Sequence, residues 1–355
     1  MELLIGILLF MFIMVTIIVN VVVRNNKKKA KNMGLHVLPD LGLQKNEEPF
    51  RAEMKKLVEH VEQSIPEYYA SQVRERVIRE YQISQDDFQN RWFEWKRYLA
   101  MVSILPYVPM YSRDVDVIWH EMLMFTKDYE QFSKKLLGSI LHHQPHGPEE
   151  QKLVPDDRAW FDLIFHLLFK PTKYTNYTWG KFLKHPVSVQ VIHDFRTLST
   201  EKLQERYFNT HSASHFPVIE NIQMLLIEQV KQKLEKLDQF YVTHGSSVKT
   251  FKKHHNVKAS DYILVGFLFL SAYHYDSFLA QYALLNAQSS SYSGNYIFDS
   301  SDSDSGSNDS GSGDSGSSDS GSSDSGGSSC GGSSGGSSCG GGGGGCGGGG
   351  CGGGS

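Results

Sequence analysis

Cysteine is missing from the first 329 residues of this 355-residue chain; all four, Cys330, Cys339, Cys346 and Cys351, lie close to the C-terminus. A body without cysteine is not a disulfide-stapled secreted fold. Positive charge is missing too: no Lys or Arg follows Lys258, and the net charge is −4 with His neutral. That balance excludes a nucleic-acid binder by bulk electrostatics, so no nucleic-acid partner is expected. Runs that alternate apolar and polar residues are absent, which excludes a sheet-built fold and leaves an all-α one. Catalytic signatures are absent as well. His120-Glu121 is followed by Met124 where H-E-x-x-H needs its second His. The chain holds no P-loop, dinucleotide fingerprint or EF-hand loop. The G-x-S-x-G matches of the tail, those around Ser329 and Ser338 among them, sit in a Gly/Ser repeat and not at a strand–turn–helix. No catalytic residue and no cofactor is therefore expected.

What the chain does have is a long apolar start. Residues 3–23 read LLIGILLFMFIMVTIIVNVVV. At ~1.5 Å per residue they reach ~31 Å, the thickness of a bilayer core. The start lacks the basic residues and small-residue cleavage site of a removable signal peptide. Residues 1–23 are thus expected to be a single transmembrane anchor. Arg24, Lys27, Lys28, Lys29 and Lys31 follow at once. Positive charge marks the cytoplasmic side, so the body is expected in the cytoplasm, with the membrane as an integral, single-pass partner. Residues 24–49 read as a basic juxtamembrane linker, punctuated by Gly34, Pro39, Gly42 and Pro49.

From Phe50 the apolar residues recur with helical period, and residues 50–288 read as one all-α globular domain of eight to ten helices. Leu57, Val61 and Ile65 share a face up to Pro66; Val73, Val77 and Tyr81 share the next. Ser84 through Asp87 resembles a capping box that opens a helix with Phe88, Trp92, Trp95 and Leu99 on one side. Asp114 or Asp116 is expected to start a helix through Trp119, Leu123, Tyr129 and Phe132, ending near Gly138. Asp156 is expected to cap an apolar helix over 159–169. After Pro217, Ile222, Leu226, Val230, Leu234, Leu237 and Tyr241 form an amphipathic stripe, with Gly245 as C-cap. A last apolar helix is expected over 260–285. Its clean core of twelve residues, 262–273, suits a buried core helix better than a second span. His254-His255 reads as part of a basic, solvated loop.

Residues 289–355 read as a tail that alternates Ser, Asp and Gly from Ser300 on and ends in polyglycine punctuated by Cys. Such a tail has too little apolar area to offset the entropy of ordering, so a disordered, low-complexity segment is expected.

The densest ionisable cluster is Asp114 through His120, followed by His142, His143 and His146. Asp116 and His120, four apart, point from one helical face, and a helical hairpin would return a His to them. The candidate metal site is Asp116, His120 and His143. A carboxylate beside imidazoles suits a divalent metal, and equally a structural hydrogen bond between helices. Asp162 and His166 repeat the same spacing inside the most apolar helix.

Asp116-x-x-Trp119-His120, Tyr129-x-x-Phe132, Gly138 and His143 resemble the signature of glycine-rich domain-containing proteins of bacteria and plants. The resemblance covers roughly residues 90–150 and the Gly/Cys-rich tail, which is similar to that of bacterial members. It implies a helical domain and no particular reaction. Met122 stands where the plant pattern W-H-x-H has a second His. The expectation put first is a membrane-anchored, non-enzymatic interaction or scaffold module with a protein partner. The alternatives are a metal-dependent enzyme or metal-binding protein using Asp116, His120 and His143, and a cell-surface protein with an exposed tail.

Overall fold

The computed structural model describes residues 14, 33–44, 48–143, 154–255 and 261–286. The expected anchor over 3–23 (Met14 apart), most of the basic segment after it, His146 and the Ser/Gly/Cys tail lie outside the described residues. Among those described, the chain is all-helical, with fourteen α-helices and no strand. The nearest thing to a sheet is one antiparallel bridge between Leu43 and Phe169.

The first half is built from α1 (Phe50–Ser64), α2 (Glu67–Tyr81), α3 (Gln85–Ile104), α4 (Arg113–Leu123) and α5 (Thr126–Leu137). The apolar spacing of α1 buries Leu57 and Val61, and that of α2 buries Val73 and Val77, whereas Tyr81 stays exposed. Ser84 caps α3 by accepting the Asp87 N–H. The Asp87 carboxylate does not turn back to complete a capping box; it takes Arg91 at 3.1 Å and the Tyr174 hydroxyl at 2.7 Å. This helix is buried beyond the expected stripe. Phe93, Glu94 and Arg97 are enclosed along with Trp95 and Leu99, so α3 is the central rod of the core.

The helix expected through Leu123 and Phe132 is two. Ser112, not an aspartate, caps α4 by accepting the Val115 N–H. The break falls at Met124-Phe125, where the Met122 carbonyl accepts both the Phe125 N–H at 3.2 Å and the Tyr69 hydroxyl at 2.8 Å. Gly138 closes α5 at φ +78°, and a Cβ there would meet the His215 ring at 2.7 Å, so both conformation and space ask for glycine.

The second half holds α6 (Pro155–Leu168), α7 (Lys173–Trp179), α8 (Val189–Thr197), α9 (Thr200–Tyr207), α10 (Thr210–His215), α11 (Pro217–His244), α12 (Val248–His254), α13 (Tyr262–Tyr273) and α14 (Phe278–Asn286). Pro155 opens α6 at its first position, so Asp156 lies in the first turn and is not the cap. The 28 residues of α11 span ~42 Å and bury Ile222, Leu226, Val230, Leu234 and Leu237, with Tyr241 exposed. His254 ends α12 and His255 stacks on Phe251 with ring centroids 3.9 Å apart, so this pair belongs to a helix end and not to a loop. The last apolar stretch is also divided. Its halves, Tyr262–Tyr273 and Tyr275–Asn286, meet at 117°. Among the described residues no single helix is long and apolar enough to cross a membrane; only this bent pair reaches the threshold together.

The Gly- and Pro-punctuated stretch before α1, expected as linker, is held against the body over 33–44. Asn90 donates to the Gly34 carbonyl and accepts the His36 N–H, both at 2.7 Å. Lys170 N–H bonds the Gly42 carbonyl at 2.8 Å, and Leu41 is buried.

Candidate functional site

The turn at Met124-Phe125 sends α5 back along α4, and the chain after Gly138 then crosses the start of α4. That path brings the three expected residues together. The candidate ligand atoms of Asp116, His120 and His143 all lie within 4.8 Å of one another. His143 Nε2 is 3.0 Å from Asp116 Oδ1. His120 Nδ1 is 3.3 Å from Asp116 Oδ2 and 2.9 Å from the Asp116 backbone carbonyl. The carboxylate therefore sits between two imidazoles, whose ring centroids are 4.5 Å apart. Side-chain exposure is graded across the group: 7% for His143, 12% for Asp116 and 47% for His120. The site is a shallow one, walled on the His143 side and open at His120. His142 is exposed beside it.

Each member is held from behind. The Ser112 hydroxyl that caps α4 also meets the Thr178 hydroxyl at 2.6 Å, tying the first turn of α4 to α7. Arg91 bridges Asp87 and Asp114, and Arg76 reaches Glu121 at 2.7 Å, fixing α4 against α3 and α2. The 139–143 strand of coil is tied by a relay of two hydrogen bonds. Trp119 Nε1 donates to the Tyr129 hydroxyl at 2.7 Å, and that hydroxyl donates to the Leu141 carbonyl. Burial pushes the Tyr129 phenol up to about 12, so it keeps its proton for that bond at neutral pH. The Trp119 ring meets the His143 imidazole edge to face, with centroids 4.5 Å apart. Sequence reading found Trp119 and Tyr129 as motif letters but not this tether. The signal was there in principle: two aromatics with polar tips, one on each arm of the hairpin.

Chemically the arrangement offers two imidazoles and one carboxylate. In a tetrahedral zinc site with bonds near ~2.0 Å, neighbouring ligand atoms stand ~3.3 Å apart; each imidazole lies that close to a different carboxylate oxygen, His143 to Oδ1 at 3.0 Å and His120 to Oδ2 at 3.3 Å. Without a cation the same geometry is a hydrogen-bonded clamp from α4 to the segment after α5.

The second pair with this spacing behaves differently. The Asp162 carboxylate turns to Arg158 at 2.7 Å and to the Leu183 N–H at 2.6 Å. The His166 ring bonds the Asp162 backbone carbonyl, at 2.8 Å, and packs against Phe165 and Phe182. Burial pushes His166 down to about 4, whereas its ordinary value is 6.5. Between those values the unfolded chain binds a proton that the folded chain refuses, so acidification favours unfolding. Asp162 opposes it in part, because burial lifts its carboxyl to about 6 against the downward pull of Arg158 and the Leu183 N–H, and between its ordinary value and 6 the folded state takes the proton first. The net effect of His166 is isolated by comparing the chain with His166→Gln. From pH 6.5 to 4 the unfolding temperature of the wild type should drop by several degrees more than that of the variant. Parallel curves would remove His166 from the acid response.

A separate cleft lies between the 105–109 loop, α6 and α9, with Tyr107, Trp160, Arg206 and Tyr207 in its walls; none of the three site residues lines it.

The family model of UCP032817-like proteins matches residues 60–153. The match takes in α2 through α5 and all three residues of the site. No curated protein and no solved structure matches the chain.

Proposed function

We propose that this chain is a membrane-tethered, helical metal-binding protein that holds a divalent cation between Asp116, His120 and His143. The observation that carries the reading is the mutual approach of their ligand atoms to within 4.8 Å, from positions 27 residues apart in sequence. Two imidazoles and a carboxylate suit zinc or ferrous iron better than magnesium or calcium, which prefer all-oxygen shells. Three protein donors are also fewer than the four of closed structural zinc sites, which leaves room for an outside ligand on the exposed His120 side. The anchor over 3–23 and the cations after it would keep the site at the cytoplasmic face. The resemblance to glycine-rich domain-containing proteins belongs to the same reading and adds no reaction to it.

The test is metal analysis of the purified full-length chain after dialysis against zinc or ferrous iron. About one equivalent is expected, lost in His143→Ala and in Asp116→Asn. The tail cysteines are a rival thiolate site, so a chain with Cys330, Cys339, Cys346 and Cys351 all changed to Ser is needed beside these. It should keep the equivalent. Metal lost with the cysteines and kept in His143→Ala would overturn the assignment.

A further inference from the structure

Helix α14 reads FLAQYALLN and carries no charged side chain. Phe278, Tyr282 and Leu285 are buried, whereas Leu279, Ala280, Ala283 and Leu284 face outward, with Leu279 63% and Leu284 51% exposed. Positions i, i+1, i+4 and i+5 fall on one stripe of a helix, so these four form a continuous aliphatic face. The packing beneath explains why the face stays outside. Leu285 fills the notch at Gly266, where a Cβ would lie 2.6 Å from it, and the 117° turn lays α14 over α13 instead of prolonging it. With α13 buried in the core, no further layer among the described residues covers the outer side of α14.

Cations stand at the rim of this face. Lys252 Nζ donates to the Leu284 carbonyl at 2.8 Å. Lys249, one turn before Lys252, shares its side of α12. Asp276 is the one carboxylate in Tyr275–Asn286, and it lies at the far end from Leu284. An aliphatic stripe with lysines along its edge is the pattern of a helix that lies in a membrane surface, apolar side among the acyl chains and ammonium groups at the headgroups. A protein interface would be expected to offer Trp, Tyr or Arg anchors, and the stripe has none. We propose that the outer face of α14 docks on an anionic lipid surface, with Lys249 and Lys252 contacting the headgroups. This contact is independent of the metal centre.

Photo-crosslinking of the full chain tests it. p-Benzoylphenylalanine replaces Leu279 or, in a second variant, Leu284, and Met224, an exposed residue of α11, as control. Each protein is reconstituted into phosphatidylcholine vesicles with or without phosphatidylglycerol and irradiated, and adducts are read by mass. Two labelling positions keep the test open where one variant fails to fold. Phospholipid adducts are expected from 279 and 284, several-fold above those from 224, and several-fold fewer without phosphatidylglycerol. Four results would overturn the proposal: adducts with a second copy of the chain, adducts with the chain's own C-terminal segment, equal lipid yield from 224, or indifference to phosphatidylglycerol.

Discussion

Replacing Arg97 by Met should lower the stability of the helical body by ~3–5 kcal/mol, the cost of leaving a buried charge without its partner. Arg97 and Glu94 are both fully enclosed. The guanidinium donates to the Leu41 carbonyl at 2.8 Å, to the Lys170 carbonyl at 3.0 Å, to Thr175 Oγ1 at 3.1 Å and to Glu94 at 3.2 Å. It also lies over the Phe93 ring at 4.0 Å. One side chain on α3 thus pins the segment before α1 and the connection from α6 to α7. Burial pulls Arg97 down to about 10, still well above neutral pH, so the charge is present in the folded protein. Met fills much of the volume but takes the Arg97 donors away from the Leu41 and Lys170 carbonyls and leaves Glu94 with Thr175 and Trp179. Denaturant unfolding followed by helical circular dichroism gives the loss. The double variant Arg97→Met, Glu94→Gln should be less destabilised than Arg97→Met alone, because the stranded charge is gone. An exposed pair makes the contrast: Lys134→Ala, which breaks the 2.6 Å contact with Glu130, should change stability by less than ~1 kcal/mol. A near-zero loss for Arg97→Met would show that the pair is dispensable.

That pair was not legible in the sequence, although much around it was. Periodicity located α1, α2, α3 and α11 because each has one apolar face that must be buried, and burial leaves a 3.6-residue record. The short helices between 172 and 216 left a different record. Thr172, Ser188, Ser199 and Asn209 each accept the N–H three residues on, at the start of α7, α8, α9 and α10. Helices this short hold too few apolar residues for a period, and the caps alone announce them. At the break between α4 and α5 the Met122 carbonyl takes the Tyr69 hydroxyl from 53 residues earlier, a contact no local pattern encodes. Buried charge is harder still. Arg97 sits in a helix where Lys and Arg usually mark the wet side, and only tertiary partners make its burial tolerable.

The site divides along the same line. Asp116 and His120 could be paired from spacing alone, since four residues bring side chains to one face. The identical spacing at Asp162 and His166 yields another outcome, because Arg158, four residues earlier, competes for the carboxylate and wins with a charged bond. Spacing fixes which groups can meet; the strongest available partner decides which do. His143 was found as one of three candidates. The relay through Trp119 and Tyr129 to Leu141 selects it, by setting where the chain crosses α4 after Gly138.

Trp119 is therefore where stability and site meet, and Trp119→Ala should cost ~3–5 kcal/mol as a large buried aromatic is lost. The ring is 5% exposed and packs against Trp95 at 5.4 Å and Tyr98 at 5.6 Å between centroids. Trp119→Phe separates its two duties. Phe retains much of the buried ring but has no N–H for Tyr129, so the stability loss should be smaller, on the order of 1–3 kcal/mol for the lost bond and trimmed volume. Tyr129→Phe removes the hydroxyl at the centre of the relay, and with it both the acceptor of the Trp119 N–H and the donor to Leu141, while α4 keeps its ring packing. If the relay sets His143, then zinc affinity should fall in Tyr129→Phe and Trp119→Phe by at least the tenfold typical of lost support behind a metal ligand. Neither should match the full loss in His143→Ala. Unfolding curves and zinc titrations of the same three proteins decide it. Unchanged zinc affinity in both Phe variants would confine Trp119 to the core. Zinc lost in step with stability alone, with no excess in Tyr129→Phe, would mean that the tether steadies the fold without aiming the imidazole.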